Sequence, residues 1–163
     1  MSKVIKIPCN ISNYNCYKKR DTRSILGIVI HATGIDNDTA ENEGNYFKNN
    51  YVGVSAHYFI DRKGIIVKSV PYTRIAYSVE TPGMQIKGLL NNSNTISIEL
   101  CDFYHKKTIS KKQKESLKWL IAYLQKKCIN ARELVRHYDI CGKKCPWNLC
   151  NDSSWEKFKG DIL

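Results

Sequence analysis

The chain has 163 residues, with 26 Lys and Arg against 15 Asp and Glu, a formal charge of +11, 42% hydrophobic residues and 25% charged residues. These proportions exclude a disordered chain, a collagen-like repeat and a low-complexity tail. The length suits one compact domain, which buries about 70% of its unfolded surface and needs no covalent staple.

The longest apolar stretch, Ile25 to Ile30 around Gly27, falls far short of the roughly 20 residues of a spanning helix. The first ten residues, broken by Lys6, do not form a secretory signal. The expectation is synthesis in the cytoplasm without membrane insertion. Seven cysteines, an odd number, in a reducing compartment argue against a disulfide framework. The positive charge fits a nucleic acid, a membrane surface, an anionic wall polymer or solubility alone. Its lysine pairs are dispersed and carry no RNA-recognition, zinc-finger or basic-zipper pattern, so no nucleic-acid partner is expected.

In chain order, residues 1–24 are polar and basic and read as an irregular arm, packed on or extending a domain over 25–163. Ile25 to His31 is a β-branched apolar run, as in a strand buried on both faces. Asp38-x-x-Glu41 has capping-box spacing and predicts a helix over about 39–49 with Phe47 as its anchor, a helix that Gly44 weakens. His57 to Asp61 and Ile65 to Val70 flank Arg62-Lys63-Gly64 as a hairpin. Pattern is lost over 73–94, a long loop. Thr95 to Cys101 alternates, with Ile96, Ile98 and Leu100 on one face and Ser97 and Glu99 on the other. Ser110-x-x-Gln113 opens a helix over 111–127 with the stripe Leu117, Leu120, Ile121, Leu124. Glu133 to His137 is a further short strand, and Trp155 and Phe158 pin a terminal helix. Alternating strands and helices predict an α/β domain with a mixed central β-sheet flanked by helices.

Two of these strands end in histidine, His31 and His137, and ligands of α/β sheets gather beyond strand ends. Cys145 follows His137 within one loop. Two imidazoles and a thiolate suit zinc, and three protein ligands leave the fourth position that a catalytic site needs. The same residues also read as strand-end histidines bonded to loops and a buried apolar thiol. Glu99, mid-strand on the polar face, is either a general base for a metal-bound water or an exposed or ion-paired carboxylate. Lys143, two residues before Cys145, is either an oxyanion stabiliser or a solvated lysine.

At these residues the sequence resembles the type-2 N-acetylmuramoyl-L-alanine amidases, a zinc family that includes phage endolysins, wall-recycling amidases and peptidoglycan recognition proteins. The resemblance runs from about Leu26 to Pro146. It lies in Ile28-Val29-Ile30-His31-Ala32-Thr33, Val54 to Gly64, Asn92 through Leu100, and His137-Tyr138-Asp139 through Cys145-Pro146. It implies a zinc groove on a mixed sheet and hydrolysis of the amide between N-acetylmuramic acid and L-alanine of peptidoglycan. It implies His31, His137 and Cys145 as Zn2+ ligands and Glu99 and Lys143 as catalytic groups. Substrate contacts are expected at Thr33, Tyr58, Tyr77 and Asn92. One branch of the family has a catalytic Tyr where this chain has Ala56, which leaves the general base to Glu99. Tyr77-Ser78 stands where relatives often have Trp-His, and His57 matches a motif histidine that is structural. The expected setting is a monomeric phage or prophage endolysin that acts at the cell wall after release. The alternatives are a muropeptide-recycling amidase, a non-catalytic peptidoglycan binder of the same fold, and a basic nucleic-acid module.

Overall fold

The apolar run after residue 24 becomes an inner strand of a six-stranded mixed sheet. The computed structural model describes residues 3–105 and 107–163. Along the chain come β1 (Val4–Lys6), β2 (Tyr14–Asn15), β3 (Gly27–Ala32), α1 (Ala40–Asn49), β4 (Tyr58–Ile60) and β5 (Ile66–Lys68). There follow β6 (Ile75–Ala76), β7 (Thr95–Leu100), α2 (Lys111–Lys127), β8 (Glu133–Arg136), α3 (His137–Cys141) and α4 (Asp152–Ile162). The sheet order is β1-β5-β4-β7-β3-β8, and β2 pairs with β6 in a small separate ribbon. Among the described residues, the β4–β5 hairpin alone is antiparallel within the large sheet; β4, β7, β3 and β8 run parallel.

Each inner strand feeds two layers, because successive side chains point to opposite faces. Ile28, Ile30, Ile96, Ile98, Leu100, Tyr58 and Ile60 join the main core beneath α2 and α4. There they meet Leu117, Leu120, Ile121 and Leu124 of α2 and Trp155 and Phe158 of α4. Full burial of each such side chain contributes about 1.5–3 kcal/mol. The opposite face carries Val29, His31, Phe59, Val67, Ser97 and Glu99. Phe47 of α1 stacks on Phe59 there, with ring centroids 5.4 Å apart.

Helix ends differ in detail from the sequence expectation. The cap of α1 is Thr39, whose Oγ1 accepts from the Asn42 amide at 3.1 Å; Asp38 instead accepts from the Thr39 amide and is buried. Ser110 does cap α2, accepting from the Gln113 amide. Gln113, however, does not reach back. Its buried amide group donates to the carbonyls of Ile60 and Cys101, both at 2.9 Å, tying α2 to the ends of β4 and β7. The strand expected to run through His137 stops at Arg136, and His137 opens α3.

The arm is less irregular than its composition suggests. Val4–Lys6 forms an edge strand parallel to β5, and Tyr14–Asn15 pairs with Ile75–Ala76 from the long loop. Both pairings join segments about 60 residues apart, and strands of two or three residues carry too little periodicity to announce themselves.

Gly44 has a packing purpose. A Cβ there would lie 2.8 Å from Val67 Cγ1 and 3.1 Å from Ile7 Cδ1, so the absence of a side chain lets α1 sit directly on β5. Helix propensity alone favours Gly44→Ala by about 1 kcal/mol, whereas overpacking costs about 1–3 kcal/mol. A net loss of about 1 kcal/mol is expected, read from the midpoint of urea unfolding; a stabilised variant would show that the contact yields freely.

Candidate metal centre and cleft

Sheet register assembles the site. In the parallel β3–β7 pair, His31 stands opposite Glu99, and on the other side of β7 Glu99 stands opposite Phe59. In the β3–β8 pair, Ile30 stands opposite Arg136. The next residue, His137, therefore comes beside His31, and their rings meet edge to face at 4.7 Å between centroids. All of this happens at the carboxyl ends of parallel strands, where open α/β sheets carry their ligands.

A buried guanidinium fixes the turn after β8. Arg136 bonds Asp139, donates to the Leu149 and Cys150 carbonyls, and reaches Asp152 at the start of α4 at 2.9 Å. The Asp139 carboxylate in turn accepts from the Arg136 amide at 2.8 Å. The loop beyond α3 folds back, with the Tyr138 amide donating to the Cys145 carbonyl at 3.0 Å. This brings Cys145 Sγ within 3.9 Å of His31 Nδ1.

One donor atom each from His31, His137 and Cys145 lies within 4.8 Å of the others. A tetrahedral zinc with ordinary Zn–N and Zn–S bonds sets its ligand atoms roughly 3.3–3.6 Å apart, so small side-chain movements close the set. The hydrogen-bonding pattern fits a cation. His137 Nε2 lies 3.2 Å from the Val79 carbonyl, which accepts its proton, and this leaves Nδ1 as a lone pair, buried and without a partner. Such a carbonyl behind a metal-binding imidazole orients the ring and fixes its tautomer. His31 Nε2 and Glu99 Oε2 are likewise buried and unpartnered.

The electrostatics run the same way. Burial, then the neighbouring His137 and Lys143 charges, hold His31 far below its usual range, and burial with Lys143 takes His137 down to about 4. Both imidazoles are thus neutral at pH 7 and available as ligands. Burial pushes the Cys145 thiol up to about 12 and, with Glu43 nearby, the Glu99 carboxyl up to about 8. A metal-free site therefore holds protons on its two acidic members, and a divalent charge placed among them reverses that balance.

The cleft has a volume of about 360 Å3 and includes His31, Thr33, Tyr77, Glu99, His137, Lys143 and Cys145 in its lining. Thr33 Oγ1 is another buried hydroxyl without a partner. Glu99 Oε1 lies 3.8 Å from His31 Nδ1. Lys143 is exposed on the cleft wall.

Two expected contacts are placed otherwise. Tyr58 alternates to the opposite face and is 2% exposed within the core under α2, so it does not reach the cleft. Asn92 is buried behind the wall: its Oδ1 accepts from the Ser78 and Val79 amides, both at 2.9 Å, holding the strip that carries Tyr77 and the His137 partner Val79. His57 is a satisfied interior histidine. Its Nδ1 accepts from the Ser97 amide at 3.0 Å and its Nε2 faces the Arg74 carbonyl at 3.1 Å, with the Arg20 guanidinium alongside.

Sequence reasoning missed Glu43 and Trp147, which also line the cleft. Glu43 shares the inner face of α1 with Ala40, Gly44 and Phe47. A carboxylate on an apolar stripe was the available signal. Burial and the adjacent Asp38 carboxyl raise it to about 7.

A mixed sheet whose strand ends present two neutral imidazoles, a thiol and a half-buried carboxyl in a cleft has the make-up of a metal-dependent hydrolase. The chain belongs to the N-acetylmuramoyl-L-alanine amidase family (Amidase_2), whose model matches residues 21–148. It is 30% identical over 166 residues to N-acetylmuramoyl-L-alanine amidase CwlL of Bacillus licheniformis, covering 93% of this chain and 44% of that protein. It is 29% identical over 138 residues to N-acetylmuramoyl-L-alanine amidase CwlA of Bacillus subtilis (strain 168), covering 83% of this chain and 48% of that protein. The chain thus spans less than half the length of these relatives. In fold it is similar to the catalytic domain of XlyA, with a TM-score of 0.76, 22% identity and 99% of each chain covered.

Two measurements check this electrostatic picture. Metal uptake at pH 7 is expected to release at least one proton, from the Cys145 thiol, because the histidines have none to lose. Calorimetry in buffers of different ionisation enthalpy reads that number, and zero release would remove the thiol from the ligand set. Stability of the metal-free protein is expected to peak near pH 6.5. Below it, the unfolded chain takes up protons that His31, His57 and His137 refuse in the fold. Above it, the unfolded chain has already lost the protons that folded Glu43 and Glu99 keep. Each uncompensated proton tilts stability by about 1.4 kcal/mol per pH unit, and urea midpoints across pH 5 to 8.5 follow it.

Proposed function

We propose that this chain hydrolyses the amide between the lactyl group of N-acetylmuramic acid and the L-alanine of the peptidoglycan stem, using a Zn2+ held by His31, His137 and Cys145. The observation that carries the reading is the convergence of those three donor atoms, from strands and a loop far apart in sequence, within 4.8 Å of one another. Membership of the amidase family supports the bond assigned, and the charge of +11 suits an enzyme drawn to walls rich in anionic polymers. The setting we infer is lysis of the wall by an endolysin.

His31, His137 and Cys145 would hold the zinc ion, which would supply Lewis-acid polarisation of the scissile carbonyl and lower the pKa of a bound water. The remaining steps belong to the chain. Glu99 accepts the water proton at Oε2, the oxygen with no other partner, and later passes it to the leaving amine of L-alanine. Protonated in that first transfer, it is the acid for the second. The Lys143 ammonium, on the cleft wall, would stabilise the oxygen on which negative charge develops. The Val79 carbonyl keeps His137 in the tautomer that offers Nδ1. Because water is the nucleophile, no covalent acyl-enzyme forms.

The assay is the release of new α-amino groups from purified wall with no new reducing ends. Reducing ends instead would reassign the chain to glycoside hydrolysis. Chelation is expected to abolish activity and zinc to restore it. Glu99→Ala is expected to lower turnover by about 10²–10⁴-fold with zinc still bound; near-normal turnover would take the proton-transfer role away from Glu99.

A further inference from the structure

The cleft continues past Tyr77. On the far side of that residue lies a trough of about 410 Å3 formed by Ile11, Tyr14, Tyr17, Tyr51 and Tyr77, with Ser12 and Cys16. No charged side chain lines it among the described residues. Its rims are unusually open for such residues: Tyr17 is 95% exposed, Tyr51 74% and Ile11 65%. Large aromatic side chains gathered at the surface in this way mark a binding site.

The trough is built on a fixed frame. Asn13 is fully buried, and its side chain ties the arm to residues 47–53 through four hydrogen bonds. Its Nδ2 donates to the Phe47 and Asn50 carbonyls at 3.2 and 2.8 Å, and its Oδ1 accepts from the Val52 and Gly53 amides at 2.9 and 3.0 Å. The arm carrying Tyr14 and Tyr17 is thereby locked to the loop carrying Tyr51. Tyr77 is held on both sides by Ser55, whose amide donates to the Tyr77 carbonyl and whose Oγ accepts from the Tyr77 amide. Residues 11–17 precede the segment matched by the family model, which begins at residue 21.

A different extension of the cleft has the opposite chemistry. Lys143 and Lys144 line the cleft, and Trp147 also lines a groove bordered by Lys107, Lys157 and Asp161. Carboxylates of a stem peptide are drawn to that cationic side. The uncharged trough calls for a ligand with apolar faces and a hydroxyl rim. Sugar rings of a glycan strand are such a ligand: their C–H faces pack on phenol rings and their hydroxyls meet phenol oxygens.

We propose that the tyrosine trough binds uncharged saccharide units of the glycan strand next to the muramoyl residue being cut, stacking them on Tyr17 and Tyr51. This rests on the amidase reading above, since it takes the glycan to run outward from the same cleft.

The test uses the whole 163-residue chain loaded with zinc. Two substrates carry the same stem peptide, one on a single N-acetylmuramoyl unit and one on a tetrasaccharide. In the double variant Tyr17→Ala/Tyr51→Ala, the ratio of kcat/KM for the long substrate over the short one is expected to fall about tenfold. Chitotetraose, followed by amide chemical shifts, is expected to move signals of residues 11–17 and 51 in the wild type and to lose that effect in the variant. An unchanged ratio, or shifts confined to other residues, overturns the proposal. So does a wild-type dimer that the double variant dissociates, because the trough would then be covered by a second copy. If the wild type cuts neither substrate, the amidase reading fails, and the chitotetraose shifts still decide for or against a sugar site in the trough.

Discussion

The parallel pairing of β3 with β7 is the constraint on which the rest depends. It sets His31 against Glu99 and, on the other face, Ile30 against Ile98. The same register thus fills the core and forms the site. A slip of β7 by one residue would turn Glu99 into the α2 layer and point the isoleucines of that strand into the cleft. The cost of placing an imidazole and a carboxyl at these strand ends is tolerated because Ile28 and Ile30 of β3 and Ile96, Ile98 and Leu100 of β7, on the reverse of the same strands, are fully buried and hold the register in place.

The site is tuned against its own charges. Neutral histidines, a protonated thiol and a protonated carboxyl form a set that is electrically quiet yet rich in unpartnered atoms. Buried polar atoms without hydrogen bonds are costly, and they are concentrated where a cation would meet them. Lys143 sharpens this by disfavouring protons on both imidazoles. The Asp38–Glu43 pair under α1 has the opposite sign and favours a proton on Glu99.

Much of this was legible in the sequence where signals are local. The alternation of Thr95 to Cys101, the stripe on α2 and the hairpin at Arg62-Lys63-Gly64 each carry their period in a few residues. The gathering of His31, His137 and Cys145 was legible through strand ends and motif order. What escaped was long-range. No local pattern tells that Val4–Lys6 will pair with β5, that Gln113 will leave its cap to hold two strand ends, or that Thr39 rather than Asp38 will cap α1. Tyr58 was misplaced for a simple reason: two residues beyond a motif histidine on a strand still leaves the face undecided until the neighbours are known. Glu43 was passed over because its helix was read from its ends, not from the face it buries.

Arg136 carries a consequence beyond its hydrogen bonds. One guanidinium grips both the turn that presents His137 and the first turn of the terminal helix, whose Trp155 and Phe158 rest in the main core. Seating of that helix and affinity for an ion at the proposed centre would therefore be thermodynamically linked, and linkage is reciprocal. Loading the centre should quieten fraying at the carboxyl end of the chain, and whatever loosens that end is felt at the centre as a weaker grip.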